Sequence, residues 1–288
     1  MVRSNTKKIL ENPIIFIKSN NKKVLHATHT VITHLTQLNK SFLLLPETAE
    51  LIGLKNAKLV SKKEPGDCVI VIGGDGSLLA SMDYPALSGL PIIGVNLGNV
   101  GFLTDINPND LKTLTDVLSG NYTLETRVFI ETAINQAGSY IALNDIVISR
   151  YEARLLNFDL FINHEFICSQ RADGAIISTP TGSTAYALSA GGPIIHPEMQ
   201  ALSIIPLCPH RLNSRPIIVS DDSIIDIYLS NIKSKPDVLV SCDGKKLEQD
   251  DISQLTIKKS NKSMKLLHPK YYNYFHTLKS KLNWEQHP

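Results

Sequence analysis

Val69-Ile70-Val71-Ile72-Gly73-Gly74-Asp75-Gly76-Ser77 decides how this chain is read. Cys68 to Ile72 is a short apolar run rich in β-branched side chains, as expected of a strand buried on both faces. It stops at Gly73-Gly74. Ser77 to Met82 then reads as a helix, with Ser77 as its cap. A strand that ends in glycines before a helix lets backbone N–H groups close around a phosphate, and the helix dipole adds positive potential. Asp75 plants a carboxylate in that anion cradle. It could hold a metal that bridges phosphates, or take a proton from a hydroxyl. The plainer alternative is a glycine-rich turn with an Asp helix cap. Two familiar nucleotide motifs are absent here. No Lys follows these glycines as a P-loop requires, and Ser77-Leu78-Leu79 stands where a dinucleotide fingerprint needs its third glycine.

Outward from this stretch, residues 1–110 alternate short apolar runs with longer mixed ones. Pro13 to Ile17, Ser41 to Leu45, Cys68 to Ile72 and Pro91 to Val95 read as strands; Val24 to Leu38, Leu78 to Tyr84 and Asn109 to Leu118 read as helices. Such alternation predicts a parallel, Rossmann-like sheet with helices packed on it. A second glycine-rich loop, Gly94 to Phe102, follows the last of these strands. Loops at the carboxyl ends of parallel strands are where ligands bind, so the two loops are expected to face one crevice. Beyond Gly120 the period changes to two, as in Phe158, Leu160, Ile162 and in Ile225, Ile227, Leu229. Turn signals at Asn163-His164 and Asp243-Gly244 separate the runs, predicting an all-β sandwich. The expected division is an α/β domain over 1–120, a β-sandwich over 121–268, and a tail over 269–288 that docks back on the first domain. Trp284 is expected as a packing anchor. Lys258, Lys259, Lys262 and Lys265 are expected along a solvated edge strand.

Composition excludes several classes. The chain has 288 residues, 43% of them hydrophobic, and a net charge of +2. That length suits two domains with cores of their own. No apolar run approaches the ~18 residues of a membrane helix, and Met1 to Lys8 lacks the apolar stretch of a secretory signal. The small net charge predicts no attraction to nucleic acid or to a membrane surface. Cys68, Cys168, Cys208 and Cys242 form no Cys-x-x-Cys pair, so neither a zinc site nor a disulfide framework is expected and the compartment is read as cytoplasmic. The nine histidines lack ligand spacing and are read as surface or packing residues.

Two further stretches carry chemistry. After Arg171-Ala172-Asp173-Gly174, the run from Ser178 to Gly192 is made of small and hydroxylic residues around Tyr186. A strand core would need Val or Ile there; this run offers close approach and many donors. Pro180 to Thr184 reads as a turn into a short helix, Ala185 to Ser189, whose start presents free N–H groups. Upstream, Asn144-Asp145 lies between Leu143 and Ile146. An Asn amide can pair with an adenine edge while a carboxylate accepts from ribose hydroxyls; a turn or bulge is the plainer alternative.

Together these residues resemble the NAD kinase family, in its bacterial, proteobacterial form. The resemblance rests on Gly73 to Gly76, Gly94 to Asp105, Asn144-Asp145, Ser178 to Gly192, Val240 to Gly244, and His268 to Phe275. Gly-Gly-Asp-Gly alone is shared with phosphofructokinases and lipid kinases, whereas its combination with Thr179-Pro180-Thr181-Gly182-Ser183-Thr184-Ala185-Tyr186 is specific. The family often has Glu at the place of Asp145, Arg at Leu97 and Gln at Lys245. The resemblance implies transfer of the ATP γ-phosphoryl group to the 2′-hydroxyl of the adenosine ribose of NAD. It implies a divalent cation, Mg2+ by preference, carried on the ATP phosphates and not by protein ligands. Asp75 is implied as the catalytic residue, in a phosphate loop of Gly73, Gly74 and Gly76. Asn144 and Asp145 are implied for adenosine, Asp173 for the nicotinamide end, and Tyr186 for the dinucleotide phosphates. Phe102, Thr181, Thr184, Ala185, Ala187, Leu188, Ser189 and Lys245 are implied as further NAD contacts. Arg154 and Arg171 are implied to reach the substrate, if need be from a neighbouring subunit of a homodimer or homotetramer. A lipid or sugar kinase is the enzymatic alternative, and a dinucleotide-binding regulator without turnover is the non-enzymatic one.

Overall fold

A computed structural model describes residues 8–63, 65–98, 101–150, 155–230, 238–249 and 251–284. The chain forms two compact units, one from residues 1–126 and 264–288, the other from 127–263.

In the first unit the elements run β1 (Pro13–Ile17), α1 (Lys22–Gln37), β2 (Leu43–Leu44), α2 (Pro46–Ile52), β3 (Cys68–Ile72), α3 (Asp75–Ser81), β4 (Ile92–Val95) and α4 (Leu111–Leu118). β1 and β3 are buried at every position, because helices cover both faces of a parallel sheet. α1 begins where the Asn21 side chain accepts the Val24 N–H at 2.9 Å. It buries Val24, Ala27, Thr28, Val31 and Leu35, the single stripe that a helical period of 3.6 dictates. β2, β1, β3 and β4 pair in that order, all parallel. Adjacent parallel strands β3 and β4 therefore deliver both glycine-rich loops to the same end of the sheet. Ser77 is not the cap of α3: the helix already begins at Asp75, with Gly74 as N-cap. Leu97 packs against this unit's core.

The second unit contains most of the remaining strands: β5 (Tyr122–Ile134), β6 (Ala137–Ala142), β7 (Asp145–Arg150), β8 (Leu156–Ile162), β9 (Glu165–Ala172) and β10 (Gly174–Ser178). A short helix, α5 (Tyr186–Ser189), precedes β11 (Ala201–Leu207), β12 (Ile217–Ser220), β13 (Ile225–Ser230), β14 (Val238–Cys242), β15 (Lys245–Lys246) and β16 (Gln254–Pro269). One antiparallel sheet has the order β12-β11-β10-β7-β14-β15. The facing layer is built on β13, β8 and β9 with the first residues of β16. Inward residues of both layers form one core: Ile146 and Ile148 from β7, Val240 and Cys242 from β14, Leu160 from β8 and Ile227 from β13. The Asn163-His164 and Asp243-Gly244 turns have positive φ at both central residues, the geometry that tight hairpins favour.

Three expectations are corrected here. The lysine-rich strand β16 is not an edge, since it pairs with both β13 and β5. Lys259 there meets Asp221 at 2.7 Å and Lys258 meets Glu131 at 3.4 Å. Trp284 is 61% exposed and does not anchor the tail; the last helix, α6 (Tyr274–Leu282), buries Tyr274, Thr277 and Leu278 instead. His268 is neither a surface residue nor simple packing, for it lies fully buried between two carboxylates.

Candidate active site

In the first unit Asp75 occupies the first turn of α3, half-buried. Its carboxylate turns to the loop after β4. Oδ2 accepts the Phe102 N–H at 3.0 Å, and Oδ1 accepts the Leu103 N–H at 3.1 Å and the Thr104 hydroxyl at 3.1 Å. Thr104 is itself oriented by Asn96, whose Nδ2 donates to Thr104 Oγ1 at 2.8 Å and to the Thr104 carbonyl at 3.1 Å. Gly101 makes the approach possible, since a Cβ there would run into the Asp75 carboxylate. A carboxylate offers about four acceptor positions; among the described residues three are taken, which leaves one for a further hydroxyl. Gly74 and Gly76 are exposed, and a Cβ at either would meet no neighbour within 4 Å, leaving open space beside the backbone. Gly73 is buried behind them. Phe102 packs against Tyr274 with ring centroids 6.1 Å apart. Asn96 and Thr104 do not stand out in the sequence as site residues; both lie within the glycine-rich motif, and only the fold shows Thr104 meeting Asp75 and Asn96 orienting Thr104.

In the second unit a cavity of about 460 Å³ opens on the outer face of the six-stranded sheet, lined in part by Asn144, Asp145, Ala185, Tyr186 and Asp243. Alternation along the strands puts it there. Val147 and Ser149 of β7 and Leu239 and Ser241 of β14 point outward to line it, while their neighbours fill the sandwich core. Asp145 is only 4% exposed. Burial, and then the negative charge of Asp243 beside it, push its carboxyl pKa from 3.8 up to about 6. Asp243, at the Asp-Gly turn after β14, accepts backbone N–H groups from Leu143 at 2.8 Å, Asn144 at 2.7 Å and Asp145 at 3.2 Å. Its pKa is raised by burial, against the lowering effect of those three donors. From the sequence Asp243 reads as a turn former; an Asp-Gly turn carries no signal that its carboxylate holds the backbone of Leu143, Asn144 and Asp145.

The Ser178 to Ser189 run works differently from its sequence expectation. Ser178, Thr179, Thr181 and Ser183 are buried, and several of their hydroxyls serve the fold. The Asn144 carbonyl accepts from Thr179 N at 2.9 Å and from Ser178 Oγ at 3.2 Å. Gly182 lies so close that a Cβ would overlap the same carbonyl oxygen. Ser183 Oγ donates to the Pro180 carbonyl at 2.7 Å and accepts the Ile195 N–H at 3.0 Å. Thr181 Oγ1 accepts from the buried Arg127 at 3.2 Å, and Thr184 donates to the Thr181 carbonyl at 3.2 Å. The run is thus a buttress that sets Asn144 in place and carries Tyr186, half-exposed, to the cavity. Ala187 faces Ile176 and Ile205 in the core, so any ligand contact it makes runs through its backbone. Leu188 is half-buried and Ser189 exposed at the end of α5; Arg171, Asp173 and Lys245 are exposed. Arg154 lies outside the described residues.

A strand–glycine–acid loop beside an α/β sheet, and a nucleoside-sized acidic cavity on a β-sandwich, define a phosphotransferase that handles nucleotides. Comparison with known proteins gives the family. Residues 13–122 match the family model described as the ATP-NAD kinase N-terminal domain, and residues 143–269 match the ATP-NAD kinase C-terminal domain. An NAD kinase of Coxiella burnetii (strain Dugway 5J108-111) is 42% identical over 266 residues, covering 88% of this chain and 87% of that protein. An NAD kinase of Legionella pneumophila (strain Corby) is 40% identical over 274 residues, covering 92% of each. Among solved structures, yeast NADH kinase complexed with NADH superposes with a TM-score of 0.84 at 25% identity, covering 98% of this chain and 90% of that one. An Archaeoglobus fulgidus NAD kinase in complex with ATP gives a TM-score of 0.73 at 23% identity, covering 93% and 99%, a likeness of fold. The chain belongs to the NAD kinase family and is an ATP-dependent kinase of NAD.

Proposed function

We propose that the chain transfers the γ-phosphoryl group of ATP to the 2′-hydroxyl of the adenosine ribose of NAD, with Asp75 as the group that orients and deprotonates that hydroxyl. The observation that carries this reading is the Asp75 carboxylate, held among the described residues by three donors, one fewer than its about four acceptor positions. As the O–P bond to the ribose forms, the hydroxyl proton passes to Asp75, the bond to the β,γ-bridging oxygen breaks, and ADP leaves. Phosphoryl transfer asks mainly for positioning and charge neutralisation. A divalent cation, Mg2+ by preference, would supply that neutralisation at the phosphates. Its ligands would be ATP oxygens and water.

The outer-face cavity is the proposed adenosine subsite, with the Asn144 amide on the adenine edge and Asp145 accepting from a ribose hydroxyl. Phe102, Thr181, Thr184 to Ser189 and Lys245 complete the dinucleotide contacts by family likeness, with Tyr186 on the phosphates and Asp173 at the nicotinamide end. The division of labour gives phosphate and base chemistry to residues 1–120, dinucleotide recognition to 121–268, and a docking role to 269–288. Arg154 and Arg171 serve the site of a neighbouring subunit in a homodimer or homotetramer; the exposed place of Arg171 on β9 suits this. A cytoplasmic setting agrees with four free cysteines; among the described residues no helix is long and apolar enough to cross a membrane.

The test is a coupled assay offering NAD or NADH with ATP or polyphosphate, in the presence and absence of Mg2+. Phosphorus NMR of the product then locates the new phosphate. The expected product carries it on the adenosine 2′-oxygen; a 3′-phosphate, or phosphate on the nicotinamide ribose, overturns the reading.

A further inference from the structure

In the His268 to Phe275 motif Tyr274 packs on Phe102, and the first residue, His268, meets two carboxylates. His268 sits near the end of β16, 1% exposed. Its Nδ1 lies 2.8 Å from Asp105 Oδ2, and its Nε2 lies 2.8 Å from Glu125 Oε2 on β5. Tyr272 stacks on the ring, with centroids 3.9 Å apart and planes 9° apart. A neutral imidazole has one donor and one acceptor nitrogen. Two carboxylates facing both nitrogens call for two donors, so the ring is held as an imidazolium. Burial alone would lower its pKa, but the hydrogen bonds and charges of Asp105 and Glu125 outweigh that and raise it.

Asp105 directly follows the turn that grips Asp75. Phe102, Leu103 and Thr104 donate to the Asp75 carboxylate, and the Asp105 backbone N–H then returns to the Gly94 carbonyl at 3.2 Å. Among the described residues the Asp105 side chain makes its hydrogen bond through Oδ2 alone, to His268, while Oδ1 is buried without one. The end of the turn is therefore moored to a cation on another strand. We infer that His268 is a positioning residue for phosphoryl transfer: through Asp105 it fixes the 102–104 turn and hence the direction in which the Asp75 carboxylate faces. This rests on the reading of Asp75 as the group that acts on the ribose hydroxyl.

A small displacement of a reacting group can cost about a hundredfold in rate, so His268→Asn is expected to lower kcat by roughly ten- to hundredfold and to leave the KM for NAD where it was. Asp105→Asn should reproduce this loss, and it replaces His268→Asn if that variant fails to fold. Glu125→Gln, which keeps the Asp105 link, should cost far less. The decisive measurement is a cycle with Asp75→Asn, since residues acting as one unit are non-additive. In the Asp75→Asn background the His268 or Asp105 substitution should change kcat no further. Additive losses, or a Glu125→Gln loss equal to that of Asp105→Asn, overturn the inference and make the cluster a stabilising one only. If Asp75→Asn alone keeps wild-type kcat, it is the Asp75 reading that fails.

Discussion

The Asp243 carboxylate accepts the backbone N–H of Asn144 at 2.7 Å across 99 residues of sequence. With its bonds to Leu143 and Asp145, it makes the turn after β14 a template for the residues that line the cavity. An orphaned buried donor costs about 1–3 kcal/mol. Asp243→Ala should therefore lower both unfolding free energy and NAD affinity, and Asp243→Asn, which keeps one acceptor oxygen, should lose less of each. Urea unfolding and calorimetry on the same samples check this. An alanine variant that is destabilised yet binds NAD unchanged would limit Asp243 to the fold.

Asp145 supplies a pH dependence. Its folded pKa of about 6 stands above the ordinary 3.8, so between these values the native state holds a proton that the unfolded chain has released. Stability contributed by this group thus rises as pH falls through about 6 and is lost as pH rises through it. Binding runs the other way, because a protonated Asp145 has given up an acceptor for the ribose hydroxyl. NAD affinity should weaken as pH drops below about 6, and Asp145→Asn should flatten that profile. Titration calorimetry across this range, on wild type and variant, decides it.

Asp75→Asn keeps the shape of the side chain and removes its basicity. General-base removal costs on the order of 10²–10⁴ in rate, so kcat should fall by that much while NAD still binds. A variant with half the wild-type kcat would sink the catalytic assignment.

Gly182→Ala tests the buttress. Its Cβ would overlap the Asn144 carbonyl oxygen, and overpacking of this kind costs typically about 1–3 kcal/mol. The expected outcome is a less stable protein with weaker NAD binding, since Asn144 must shift. Chemical denaturation and NAD titration read the two effects, and unchanged values in both would mean that the strand and turn part without penalty.

The family's fold was legible because its two halves obey different local rules. Continuous apolar runs such as Cys68 to Ile72 announce strands covered on both faces, and alternation such as Phe158, Leu160, Ile162 announces a half-covered sheet. Both patterns arise from backbone periodicity, which each segment carries within itself. Asp75 stands out in the sequence for a similar reason, since a lone acid among glycines at a strand end is a local anomaly; the turn that holds its carboxylate does not. Other features depended on distant partners. The hydroxyls of Ser178 and Thr179 read as ligand donors, but the Leu143 and Asn144 carbonyls, in the link between β6 and β7, take them up. Asp243 reads as a turn former and His268 as a surface or packing residue, until folding brings Asn144 to the one and Asp105 and Glu125 to the other. Sequence alone therefore determined the strands, the helices and the chemical character of the two loops, because propensity and period are short-range. Tertiary structure alone decided which polar groups are spent on holding the site and which stay open toward a ligand. That partition is set by which chain segments meet in space and by the cost of leaving a buried donor or charge unpaired.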